Sequence, residues 1–218
     1  MPEQLPLDLP LRAAVGRADF AVSDANRAAM ALIDTDDSWP KGKLVLHGPQ
    51  GAGKTHLACV WAESSGALIV PARDLVGLAD DITKVVVEDV PQIAGDAALE
   101  EALFHLHNRV LAENGRLLMT GQGVPASWGL SLPDLASRVQ GTLAVALDPP
   151  DDELLTYVLV KLFADRQLAP SPRAISTLVL HMERSFTEAG RLVGEMDRRA
   201  IAERRRITDA LARDVLGL

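Results

Sequence analysis

The sequence predicts an α/β fold: a mostly parallel five-stranded sheet with helices on both faces, followed by an all-helical unit. Three observations predict it. Short apolar runs at 44–47, 67–70, 84–88, 116–120 and 143–147 alternate with helix-like stretches at 54–64, 97–113 and 133–139. Short buried strands alternating with helices pair in parallel and are covered on both sides. Next, residues 48–55 read Gly-Pro-Gln-Gly-Ala-Gly-Lys-Thr, directly after the first apolar run. Finally, the pattern changes after Pro149-Pro150, where Asp151-Asp152-Glu153 opens a helix reaching about Gln167.

Each element has a local reason. A helix is expected from about Ser23, a candidate N-cap, to Ile33, before acids and Pro40 break it. In the second unit, Ser171-Pro172 opens a helix, and two more are expected at about 187–204 and 208–216, the last capped by Thr208. The expected organisation is a tail at 1–15, an α/β unit at 16–150 and a helical unit at 151–218.

The loop at 48–55 carries the chemistry. A strand that delivers a glycine-rich loop to a helix N-terminus offers free N–H groups and a positive dipole end to an anion. Gly48, Gly51 and Gly53, with Pro49, Gln50 and Ala52 between them, let the backbone wrap a phosphate. Lys54 supplies a point charge to the β- and γ-phosphates, Thr55 a hydroxyl for Mg²⁺, and His56 continues the loop into its helix. A second signal is the apolar strand Val85-Val86-Val87 ending in Glu88-Asp89. Such a strand brings a carboxylate to Mg²⁺, here Glu88, and a second acid to orient attacking water, here Asp89. Adjacent strand residues point to opposite faces, so the two acids serve one site only if the strand ends there.

Composition narrows the function. The 218 residues suit one α/β domain with a small appendage, and carry a net charge of −8. That charge argues against general binding to a phosphate backbone. Cys59 is the single cysteine, which excludes an internal disulfide and any multi-cysteine metal site. It falls after the phosphate loop, where a structural thiol is expected. His105 and His107 are two apart and face different sides of a helix. No apolar run is long enough for a membrane span, and the acids Glu3 and Asp8 do not suit a signal peptide, so a cytoplasmic protein is expected. The arginines 198, 199, 204, 205 and 206, interleaved with Glu195, Asp197 and Glu203, are expected to form a solvated helix face.

These motifs and the text around them resemble the AAA+ ATPases of the replication-initiator (DnaA) family. Gly-Lys-Thr-His-Leu at 53–57, Ile-Ala-Gly-Asp at 93–96, Arg-Leu-Leu-Met-Thr at 116–120 and above all Leu-Pro-Asp-Leu-Ala-Ser-Arg at 132–138 carry the resemblance. It spans about 20–216 and is closest to the family's short regulatory members. It implies an AAA+ P-loop NTPase sheet with a C-terminal α-helical lid, ADP or ATP with Mg²⁺ as ligands, and an end where the initiator's DNA-binding domain would begin. Sequence-specific DNA binding is therefore not expected, whereas association of modules, with one another or with the initiator, is.

By the same resemblance Arg138 is an arginine finger acting on a neighbouring protomer's nucleotide, a role that contributes roughly 10³- to 10⁵-fold in rate in other NTPases. Read from position alone, Arg138 is a basic residue at a helix C-terminus. Two family features depart from pattern. The polar sensor falls at 120–122, where Gly121 has no side chain and only Thr120 or Gln122 could serve. The lid arginine falls at Gly190, with Arg191 adjacent and rotated by about 100° on a helix. With Glu88 in place of an aspartate, these departures predict weak intrinsic hydrolysis. The tail, Gln4-Leu5-Pro6-Leu7-Asp8-Leu9, resembles the peptides with which replication proteins dock on the sliding clamp through Gln4, Leu5, Leu7 and Leu9, with Leu7 and Leu9 inserting into apolar pockets and Gln4 making polar contacts. The expected function is regulation of replication initiation by stimulating ATP hydrolysis in the initiator. The alternative is a nucleotide-switched loader or adaptor that recruits a replication or repair protein.

Overall fold

Residues 20–218 are described by the structure, a computed structural model. The clamp-peptide residues Gln4, Leu5, Leu7 and Leu9 lie outside the described residues. Five strands run β1 Lys43–His47, β2 Leu68–Pro71, β3 Lys84–Glu88, β4 Arg116–Gly121 and β5 Leu143–Ala146, and they form one sheet in the order β2-β3-β4-β1-β5. Every pairing is parallel. Four helices accompany the sheet: α1 Arg27–Ile33, α2 Lys54–Ser65, α3 Ala97–Ala112 and α4 Pro133–Gln140.

The sheet is buried on both faces because its strands are apolar on both. Leu44, Leu46, Val86 and Leu118 pack with α1 and α2 residues such as Leu57 and Trp61. Their neighbours Val45, Val85, Val87, Leu117 and Met119 pack on the other side with Leu103, Val110 and Leu135 of α3 and α4. This period-two division is what a doubly covered parallel sheet requires.

Four further helices follow: α5 Asp152–Asp165, α6 Pro172–His181, α7 Phe186–Glu203 and α8 Asp209–Leu216. They enclose their own apolar cluster, including Leu155, Leu159, Phe163, Leu178, Leu192, Met196 and Leu211. Asp151, Ser171, Ser185 and Thr208 each accept a backbone N–H in the first turn of the helix they open. Each such cap stabilises its helix by about 1 kcal/mol.

One boundary differs from expectation. α1 begins at Arg27 rather than near Ser23. The Asn26 side chain turns back to accept from the Ser23 N–H at 3.0 Å and to donate to the Ala21 carbonyl at 2.9 Å. Those bonds close a turn that delays the helix. Among the described residues, no helix is long and apolar enough to cross a membrane.

Candidate functional site

The C-terminal ends of β1, β3 and β4 lie side by side, with Leu46 opposite Thr120 and Val87 opposite Met119. Ligands of open α/β sheets bind at this edge. Here it opens into a cleft of about 770 Å³ between the phosphate loop and the helical unit. Gln50, Gly51, Gly53, Lys54, Thr55 and His56 line it from the loop side. Gly48 and Pro49 enter through their backbone: Lys54 Nζ donates to the Gly48 carbonyl at 2.9 Å and to the Pro49 carbonyl at 2.8 Å. Ala52 faces inward and belongs to the core. Burial pushes the Lys54 ammonium below the ordinary lysine value, while Asp89 pulls the other way. His47 is pushed down as well, by burial and then by Lys54.

Of the acid pair, Asp89 lines the same cleft and Glu88 does not, because the strand ends between the two residues. β3 stops at Glu88, and Asp89 takes the left-handed conformation (φ 55°, ψ 47°). Its N–H is held by the Thr120 hydroxyl at 3.1 Å, and one of its carboxylate oxygens accepts from the Gln92 amide at 3.3 Å. Glu88 is half-buried, and its Oε1 is buried without a hydrogen-bond partner. Oxygen donors suit a hard divalent cation, and an orphaned carboxylate oxygen fits one. Burial, with Glu88 nearby, raises the Cys59 thiol, consistent with an inert packing role.

Of the two sensor candidates, Thr120 is committed to Asp89, and Gln122 lines the cleft. A side chain at Gly121 would strike Trp128 at 2.6 Å and Pro91 at 2.7 Å, so packing excludes one there. The lid arginine is absent from the cleft. α7 turns Phe186, Thr187 and Gly190 inward, whereas Arg191 is exposed and forked to Glu188 at 2.7 and 2.8 Å. The one-residue offset has its full rotational consequence. The helical unit instead contributes Leu154, Tyr157, Val158, Lys161, Leu162 and Asp165, one face of α5. It also touches the loop directly: the Phe186 N–H donates to the Gly51 carbonyl at 2.9 Å.

Arg138 does not line this cleft. It is exposed in the last turn of α4, where Lys43 Nζ donates to its carbonyl at 2.9 Å. Lys43 and His47 are opposite ends of β1, about 13 Å apart at the strand rise, so Arg138 and the phosphate loop occupy opposite ends of one strand. The guanidinium rests over the Phe104 ring with Cζ 4.9 Å from its centroid, and no carboxylate pairs with it among the described residues. The arginine-rich segment behaves differently, and α7 ends at Glu203, so Arg204, Arg205 and Arg206 lie beyond the helix rather than on its face. Arg198 and Arg199 both bond to Glu195, and Arg205 bonds to Glu203 and Asp214.

Glu100 was invisible to motif reasoning, yet it ties α3 to the segment that starts α4. It is 0% exposed, and its carboxylate accepts from the N–H groups of Gly95 (2.7 Å), Ser131 (2.9 Å) and Leu132 (2.6 Å). Burial pushes this carboxyl up, but the three donors together hold it below the usual range. The bonds to 131 and 132 pin the segment that starts α4. The signal was spacing: Glu100, Leu103, His107 and Val110 share one buried face of α3.

No protein-family model matches the chain. Solved structures do. Domain III of the Thermotoga maritima replication initiation protein DnaA superposes with a TM-score of 0.83 at 16% identity, over 96% of this chain and 98% of that one. AMPPCP-bound DnaA from Aquifex aeolicus matches with a TM-score of 0.70 at 17% identity, over 84% of this chain and 65% of that one. The chain thus spans about two thirds of that DnaA. The Thermotoga maritima RuvB Holliday junction branch migration motor matches at 0.70 and 17%, over 93% and 71%. The five-stranded parallel sheet with its helices is the fold seen in these AAA+ P-loop NTPase neighbours. Within that class, DnaA domain III is a neighbour of nearly equal extent.

Proposed function

We propose that this protein is an Hda-like regulator of chromosomal replication initiation. In this reading the phosphate loop binds ADP or ATP with Mg²⁺, Lys54 meeting the phosphates and Thr55 and Glu88 serving the metal. The peptide at Gln4, Leu5, Leu7 and Leu9 docks on the DNA-loaded sliding clamp in the cytoplasm. Arg138 is presented to ATP-bound DnaA and stimulates its hydrolysis, which inactivates the initiator. The observation that carries the reading is Arg138 itself: an exposed arginine without a carboxylate, resting on an aromatic ring, at the far end of β1 from its own phosphate loop. A guanidinium so placed suits a phosphate on a neighbouring molecule better than one in its own cleft.

The test is DnaA ATP hydrolysis measured with this protein and clamp-loaded DNA. Arg138→Ala is expected to keep nucleotide and clamp binding yet lose stimulation by roughly 10³-fold. Arg138→Lys should also lose most of it, because an ammonium cannot present a planar set of donors. Parental stimulation by either variant sinks the reading.

One observation favours the loader or adaptor reading. The lid helix α7 brings no cation to the cleft, yet its first residue bonds the loop carbonyl of Gly51. That arrangement suits a nucleotide-set lid position more than rapid turnover. Unchanged DnaA hydrolysis combined with nucleotide-dependent capture of a replication or repair protein would decide for it.

A further inference from the structure

Lys43 opens β1 with its side chain running inward. It is 6% exposed, and among the described residues no carboxylate pairs with it. Burying an ammonium without a counter-ion costs several kcal/mol by general estimates, about the size of a whole core contact. What the group gains is specific. Its N–H donors reach the Arg138 carbonyl at 2.9 Å and His107 Nε2 at 3.2 Å. His107 Nδ1 lies 3.4 Å from Asn108 Oδ1. With the ring proton on Nδ1 and donated to that oxygen, Nε2 keeps its lone pair for Lys43.

The carbonyl it reaches belongs to the last turn of α4, where helix carbonyls lack partners within the helix and a cation is favoured. The Thr142 hydroxyl donates to the same oxygen at 2.8 Å. On the outer side, Phe104, one turn before His107 on α3, lies under the guanidinium. The backbone of Arg138 is therefore tied from inside the domain. Its side chain is repelled by the like charge of Lys43 and attracted by an aromatic face.

We infer that Lys43 and Phe104 are positioning residues for Arg138, a two-point mount that anchors its carbonyl from the core and aims its guanidinium at solvent. The inference rests on the reading of Arg138 as a trans-acting arginine. A displacement of about 1 Å in such a group can cost up to about 100-fold in rate. A residue kept only for stability would behave differently. Replacing an unpaired buried ammonium by an apolar side chain is often neutral or stabilising.

The full-length chain carrying Lys43→Met, Phe104→Leu, His107→Gln or Arg138→Ala is compared with the parent. The readouts are ATP hydrolysis by DnaA in the presence of clamp-loaded DNA, and thermal unfolding. Lys43→Met should keep or raise the melting temperature and lower the maximal stimulated rate by roughly tenfold or more. The concentration giving half-maximal stimulation should not move. Phe104→Leu should lower the same maximum severalfold, and His107→Gln, which retains an acceptor for Nζ, should stay near the parent. If Lys43→Met does not fold, Phe104→Leu decides alone. Parental maxima in Lys43→Met and Phe104→Leu while Arg138→Ala is silent overturn the mount, as does a change confined to half-maximal concentration. Parental stimulation by Arg138→Ala instead removes the reading beneath it.

Discussion

At one end of β1, Lys54 folds back onto the carbonyls of Gly48 and Pro49, in a loop whose next contact is the N–H of Phe186 on Gly51. At the other end, Lys43 reaches across to the carbonyl of Arg138 and a histidine on a different helix. Both ends place a buried lysine on backbone carbonyls. The first is local, its lysine binding residues five and six positions away; the second joins residues 95 and 64 positions apart. A local site is written in consecutive residues and depends on backbone shape. A distant one depends on the fold being complete, and each of its parts is an ordinary residue until the helices meet.

The largest effect that would sharpen this contrast is at the local end. Lys54→Ala removes the one buried cation of the phosphate loop, and nucleotide affinity by calorimetry should fall by at least about 100-fold. Wild-type affinity in that variant would remove the phosphate-loop assignment and leave the two ends without a functional difference.

The next effect lies on α3, the helix that supplies His107 to the distant end. Glu100→Gln puts an amide where three N–H groups converge and should destabilise the fold by about 2 kcal/mol in urea titrations. Its pH signature separates it from His107. Burial, the Lys43 charge and, more weakly, Arg138 outweigh the bond to Asn108 and hold His107 at about 4, against an ordinary 6.5. That folded value is depressed, so the contribution of His107 is in force above 6.5 and is lost as pH falls toward 4. The Glu100 carboxyl is depressed too, from an ordinary 4.5, so its contribution persists until below 4.5. His107→Gln should flatten only the higher window, and Glu100→Gln only the lower. Identical pH profiles for the two variants would show that α3 does not carry two independent buried groups.

The smallest effect tests the seam between loop and lid. Gly51 has φ 75°, and a Cβ there would lie 2.5 Å from the Ser185 Cβ. Gly51→Ala should cost about 1–2 kcal/mol in backbone strain and loosen the first turn of α7. Faster amide exchange at Phe186 with the sheet unaffected is the expected result. Unchanged exchange there would mean that the lid does not depend on the close approach at Gly51.

Legibility in the sequence follows the same division. The five strands, the phosphate loop and the helical second unit were readable because alternation, glycine placement and capping are local codes. The sequence left open whether both acids could share a face; the turn at Asp89, which the Thr120 hydroxyl on another strand supports, brings only Asp89 to the cleft. The start of α1 was misjudged because Asn26 spends its side chain on a turn, a competition that capping preference does not rank. Arg191, adjacent to Gly190, faces Glu188 and not the cleft, because on a helix one residue decides which side a charge faces. Lys43 and His107 carry no motif. They could have been suspected only as polar residues at apolar spacings.

Asp89 has an evolutionary consequence. A non-glycine residue in the left-handed region pays a standing penalty of about 1–2 kcal/mol, eased for aspartate by local bonding. Drift toward glycine or asparagine would make the chain easier to fold while removing the acid. Stability and chemistry therefore pull this position in opposite directions. In a lineage that had given up hydrolysis, it is the first place where relaxed selection should leave a mark.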